Sequence, residues 1–134
     1  MIKAKADYSE AAVIHFCHQD YNLPVPELEH SFDLLISQFA GFICEACKRY
    51  LKPRGLLLVN NSHGDAGIAA LNPDFILCGV FNRRENNYDF SDKNLDRYFI
   101  PKKKVENLYK HIHDLGKGIA YTDTADLYLF QYAP

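Results

Sequence analysis

The segment SFDLLISQFAGFICEACKRYLKPRGLLLVNNSHGD, residues 31–65, reads as strand, helix, strand, with a polar cluster at its far end. Phe32, Leu34, Leu35 and Ile36 make a nearly unbroken apolar run of strand length, and Leu56, Leu57, Leu58 and Val59 make a second. Runs apolar on both faces suit strands buried on both sides, as in parallel sheets covered by helices. Between them Phe39, Phe42, Ile43, Ala46, Cys47, Tyr50 and Leu51 recur at helical spacing and form one apolar stripe. Lys52-Pro53-Arg54-Gly55 then stops the helix, Pro and Gly being the stop signals. The unit is βαβ, for which a right-handed crossover is expected.

Outward from this unit the pattern stays α/β. Met1 to Ala12 is polar and fits the tail of a helix followed by a short loop, and Val13 to Cys17 reads as a short apolar strand. It ends in His18-Gln19-Asp20-Tyr21-Asn22, after which Leu23-Pro24-Val25-Pro26 forbids regular structure. Downstream, Gly64 to Leu71 is a short helix or turn ended by Asn72-Pro73, and Phe75 to Phe81 is strand-like. Asn82 to Ser91 is polar and turn-rich, with Tyr98-Phe99-Ile100 able to pair back as a small hairpin. Val105, Leu108, Tyr109, Ile112 and Leu115 mark an amphipathic helix capped by Gly116. Ile119 to Tyr121 and Leu127 to Tyr132 are expected to close the chain as an antiparallel hairpin.

The 134 residues suffice for one domain, expected to span 1–134. No apolar run approaches the roughly 20 residues that cross a bilayer, and no signal-peptide pattern opens the chain. A formal net charge of −2 gives no electrostatic argument for a nucleic-acid partner. Lys102-Lys103-Lys104 reads as a solvated helix start. The four cysteines lack the spacing of a disulfide framework, so reduced thiols and a cytoplasmic setting are expected. Cys44 and Cys47 form a C-x-x-C inside the predicted helix, where core packing is the simpler reading and no metal site is expected.

In open α/β sheets ligands bind beyond the carboxyl ends of the strands. Three such ends carry polar residues here: Gln19, Asp20 and Tyr21; Ser37 and Gln38; and Asn60, Asn61, Ser62, His63, Gly64 and Asp65. Parallel strands would bring all three to one edge. His63 is the candidate base near neutral pH. The same residue types also build ordinary strand-to-helix turns, with Asp65 or Ser62 as helix caps. His111 and His113 stand two apart on a helix and do not share a face, so they make no metal pair.

Taken together, a strand ending in HQDYNLP, then SFDLLISQ, a helix closing in YLKPRG and a strand LLLVNNS resemble the second half of a class I S-adenosylmethionine-dependent methyltransferase. In that family an acid follows the third strand, the fourth reads fDlv, and LkPGG precedes the fifth. Arg54 stands where the family usually has Gly. The resemblance implies an incomplete Rossmann-like sheet, mostly parallel, with a C-terminal antiparallel hairpin. It also implies that Asp20 accepts the adenine amino group of S-adenosylmethionine and that Tyr21 lies beside the ring. Ser37, Gln38 and Phe39 would line the methionine side, and Asn60, Asn61, His63 and Asp65 the substrate rim. The absence of [DN]-P-P-[YF] points away from amino methylation of nucleic acid.

The family's glycine-rich loop has no counterpart, because the one G-x-G in the 134 residues, Gly116-Lys117-Gly118, lies late in the chain, and the ribose-holding acid is likewise missing. The expectation is therefore a methyltransferase-like domain truncated at its N-terminus, with little or no cofactor binding or activity alone. The family's strand order, 3-2-1-4-5-7-6, leaves Phe32–Ile36 as an unpaired apolar edge, to be covered by Val13–Cys17, by a homodimer or by a complementing chain. The alternatives are a non-catalytic interaction or dimerisation subunit of the same fold, and a different doubly wound protein that binds an anion through Asn60–Asp65.

Overall fold

The last strand of the chain, Leu127–Tyr132, lies in the middle of the sheet. The computed structural model describes residues 13–134, and the reading of Met1–Ala12 as a helix tail lies outside them. The elements run β1 (Phe32–Ser37), α1 (Ile43–Cys47), β2 (Leu51–Val59), α2 (Asp65–Leu71), β3 (Phe75–Arg84), β4 (Asn87–Ser91), α3 (Leu108–Leu115) and β5 (Leu127–Tyr132). The sheet order is β1-β2-β5-β3-β4. β1 and β2 pair in parallel, while β2–β5, β5–β3 and β3–β4 are antiparallel ladders. The fold is thus an open mixed α/β sheet. The expected parallel majority is not found in the pairing, although β1, β2 and β3 all point the same way.

Three sequence expectations are corrected. Val13–Cys17 forms no strand: the segment lies beside Phe32 at the start of β1 without joining the ladder. The expected hairpin of Ile119–Tyr121 with β5 does not form. β5 instead enters the slot between β2 and β3, and Tyr121 makes only an isolated bridge with Pro101. The excursion after β3 pairs back through Asn87–Ser91 rather than Tyr98–Ile100, around a turn in which Glu85 is left-handed.

The connection between β1 and β2 is also tighter than the apolar stripe suggests. Helix occupies only Ile43–Cys47, followed by a 3-10 turn at Lys48–Tyr50. Gly41 has φ +90°, and a Cβ there would come 2.7 Å from the Tyr21 hydroxyl. The residues expected to stop the helix instead lie inside β2 as a bulge, where the register jumps from Phe32↔Leu51 to Leu34↔Leu56. Arg54 sits there at φ +71°, a conformation that glycine adopts without strain. α2 and the Gly116 cap fall where expected; α3 begins at Leu108, capped by the Asn107 side chain, so Lys102–Lys104 lie exposed ahead of it.

Among the described residues, helices cover one face of the sheet. Leu57 and Val59 of β2, Phe75 and Val80 of β3, and Tyr128, Phe130 and Tyr132 of β5 pack into one core with Cys44 of α1, Ile68 of α2 and Ile112 of α3. Phe99 closes this core from the loop after β4, its ring 4.6 Å from that of Tyr128. The registers place Leu34 and Ile36, Leu56 and Leu58, Leu129 and Gln131, and Ile76 on the opposite face. There Leu34 is 48% exposed, Ile36 58% and Ile76 54%, and none of these residues joins the core.

Candidate functional site

The carboxyl ends of β1 and β2 meet because their parallel register pairs Ser37 with Val59. The Asn60 backbone N–H donates to the Ser37 carbonyl at 3.3 Å, and the Asn60 side-chain oxygen accepts the Phe39 N–H at 3.2 Å. Behind them Asp65, only 2% exposed, accepts the Ser37 hydroxyl at 2.6 Å and the Cys44 backbone N–H at 3.0 Å. A buried carboxylate is tolerated when such donors meet it. Burial pushes the Asp65 carboxyl above its ordinary value, and the bonds from Cys44 and Ser37 hold part of that rise back.

This arrangement decides what the third polar cluster does. Asn60 and Asp65 tie the two strand tips to α1 and α2. The Asn61 side chain accepts the Gly67 N–H at 2.9 Å, satisfying one of the orphan donors in the first turn of α2. Gly64 caps that helix at φ +91°, packed so closely against Ile112 and Lys117 that no side chain fits. The turn reading therefore accounts for Asn60, Asn61 and Asp65, while His63 stays on the exposed rim with no side-chain hydrogen bond among the described residues.

The first cluster lies at the same end. The Tyr21 hydroxyl packs against Gly41, in the loop that follows Gln38 and Phe39. Asp20 makes a local turn, one carboxylate oxygen accepting the Asn22 N–H at 2.8 Å and its amide at 3.1 Å, and stays exposed. Gln38 and Phe39 are exposed as well. Of these residues Tyr21 is the one placed against the loop after β1, through Gly41; Asp20, Gln38, Phe39 and His63 are exposed, and Ser37 is sealed beneath its bond to Asp65.

The best-formed concavity is elsewhere. A cleft of about 340 Å³ runs along the free edge of β1, between the extended residues 17–27 and the strand. Its walls include Cys17, Val25, Leu34, Tyr50 and Leu51, and of the rim residues only Tyr21 reaches it. Its lining is mainly apolar, which suits packing more than chemistry.

Neither cysteine of the C-x-x-C is activated. Burial drives the Cys44 thiol far up, with the Asp65 charge adding to the effect, and burial also raises Cys47. No group of three metal-ligating side chains occurs among the described residues. Two features escaped the sequence reading. One is the buried Ser37–Asp65–Cys44 contact, signalled only by an acid at the head of the apolar GDAGIAAL. The other joins α1 to α3: Glu45 accepts the Tyr109 hydroxyl and lies 2.7 Å from His113, at ion-pair distance without hydrogen-bond alignment, while Phe42 stacks on His113 at 4.2 Å. No helix among the described residues is long and apolar enough to cross a membrane. No family model, curated protein or solved structure matches this chain.

Proposed function

We propose that this chain is a methyltransferase-type domain carrying the substrate-side half of the sheet, with no methyl transfer of its own. One observation carries the reading: β5 runs opposite to β2 and β3 and lies between them, giving β1-β2-β5-β3. That is the 4-5-7-6 half of the strand order of the resembled family, and it arises here although β5 comes last in sequence. Asp20 and Tyr21 would meet the adenine end of S-adenosylmethionine, and Gln38 and Phe39 would border the methionine side. Ser37 is withdrawn from that list because its hydroxyl is committed to Asp65. The cofactor would supply an electrophilic methyl group; the residues of this chain would only orient one end of it.

An amide NMR titration with S-adenosylhomocysteine tests this. Small, unsaturated shifts confined to Asp20, Tyr21 and Gln38–Gly41 are expected, with dissociation weaker than about 1 mM, or roughly −4 kcal/mol. Scattered shifts or none would overturn the methyltransferase-type reading. Binding tighter than that limit and abolished by Asp20→Ala would overturn its inactivity.

A second reading, a non-catalytic interaction module of the same fold, is favoured by the outer side of β1. Among the described residues that edge has no ladder partner, and Phe32, Leu34 and Ile36 stand exposed along it. An unpaired apolar edge is a template for another chain.

A further inference from the structure

We propose that a contact between Glu45 and His113 is a pH-sensitive latch between α1 and α3. The charged form of the ring closes it, the neutral form loosens it, and the latch sets how firmly the loop after β1 is held. The inference goes beyond the proposed function and stands whether or not that reading does.

The first argument is that α1 cannot hold itself. It spans five residues, Ile43–Cys47, and its N-cap Phe42 makes no side-chain capping bond. A helix so short does not persist on its own hydrogen bonds, so tertiary contacts must fix it. On the inner side the Cys44 amide is bonded to Asp65. On the outer side one Glu45 oxygen accepts the Tyr109 hydroxyl, and the other lies 2.7 Å from His113 Nε2. Phe42, stacked on His113, directly follows Gly41, whose backbone is left-handed at φ +90°. Whatever fixes Phe42 therefore also fixes the far end of the loop that carries Gln38 and Phe39.

The second is that the surroundings of His113 suit a charged ring. Its Nε2 is buried with no aligned hydrogen bond, yet it faces the Glu45 carboxylate. A bare nitrogen there sets its lone pair against a carboxylate oxygen, whereas an N–H turns the approach into an attraction. The ring lies 4.2 Å from Phe42 and 4.5 Å from Tyr109 between centroids, and aromatic faces attract a cation. The side chains of His113 and Glu45 are 32% and 30% exposed, open enough to exchange a proton and closed enough to limit screening by salt.

The third is that the other titratable groups nearby are already engaged. On α3, Asp114 adjoins His113 and is paired with Lys110, while His111 stands two residues away and Tyr109 is bonded to Glu45. α1 adds Cys44, whose thiol burial keeps protonated. α2, packed on α3 where Gly64 meets Ile112, adds Asp65, which is bonded to Ser37 and Cys44. Glu45 is thus the acid that feels a proton on His113 most directly. The charged pair belongs to the latched state, so the latch tightens as pH falls below neutral and loosens as the ring loses its charge.

Amide hydrogen exchange followed by NMR at about pH 5.5 and about pH 8, on either side of histidine titration, tests the proposal. The Ile43 amide, bonded to the Gly41 carbonyl, and the Lys48 amide, bonded to that of Cys44, report on α1. Once corrected for the intrinsic exchange rate, both should open about fivefold more readily at the higher pH, the size of a part-exposed ion pair. Glu45→Gln keeps an acceptor for Tyr109 without the charge, and His113→Phe keeps a stacked ring without the proton. Each should stay folded by circular dichroism and bring the difference between the two pH values below about twofold. Titration of Asp65 would act equally in all three proteins. A pH difference that survives in either variant therefore overturns the proposal, as does a wild-type chain whose α1 amides open equally at both pH values.

Discussion

The two faces of the sheet are written in nearly the same alphabet and end in different environments. On one, Leu57, Val59, Tyr128 and Phe130 are buried beneath three helices and the loop around Phe99. On the other, Leu56, Leu58 and Leu129 alternate with them along the same strands, Leu34 pairs beside Leu56, and no layer lies above them among the described residues. Alternation in a strand decides which residues share a side, and apolar residues on both sides announce that both are meant to be dry. It does not say whose atoms do the drying. The covered face holds this chain together; the other contributes little to its core.

Paired truncations would break this comparison most directly. Phe130→Ala on the covered face should cost about 3–5 kcal/mol in urea unfolding, from lost burial and the cavity left behind. Ile76→Ala on the other face should cost about 0.5 kcal/mol in the same measurement. Equal losses at the two positions would mean that the faces are not different.

At the strand tips the comparison sharpens around Asp65. Ser37→Ala should destabilise by about 1–3 kcal/mol, because it leaves a buried carboxylate short of a donor. The pH dependence has a definite sign. The folded carboxyl titrates above its unfolded value, so its favourable contribution is complete at acid pH below the unfolded value and is lost as pH rises through the folded one. The stability of wild type relative to Asp65→Asn should therefore increase on acidification, as read from melting temperatures of both proteins across pH 3 to 7. A difference that is flat or falls on acidification would contradict the buried placement.

The smallest effect concerns the bulge in β2. Arg54→Gly should stabilise by about 1 kcal/mol, since the left-handed backbone at φ +71° strains a side chain and suits glycine. The measurement is the urea midpoint; an unchanged or lower midpoint would show that the arginine side chain compensates its own backbone.

Much of this architecture was legible in residue order. The apolar runs at Phe32 and Leu56 became β1 and β2, the GDAGIAAL helix ended at Asn72-Pro73, and Gly116 capped α3 at φ +64°. These features rest on local physics: side-chain period, missing donors and left-handed backbone. The helix predicted from Phe39 to Leu51 shrank to five residues, because Phe39 and Gly41 adopt left-handed backbone and the Phe39 N–H is taken by Asn60. Val13–Cys17 has strand composition and makes no strand, although it runs beside the open edge of β1.

The site shows the same division. Asp20, Tyr21, Gln38 and Asn60 were picked out as residues at strand ends, and the tips of β1 and β2 do meet. Nothing in the string distinguished Asp65 on a rim from Asp65 buried beneath Ser37, because that depends on α1 passing within 3.0 Å through the Cys44 amide. From its residues alone the chain determined where its main strands, α2 and the end of α3 lie, and that its sheet is apolar on both sides. Tertiary structure alone decided that β5 fills the slot between β2 and β3, that Asp65 is buried beneath Ser37, and which face the helices cover. Those outcomes depend on contacts between residues far apart in the chain, which no local pattern encodes.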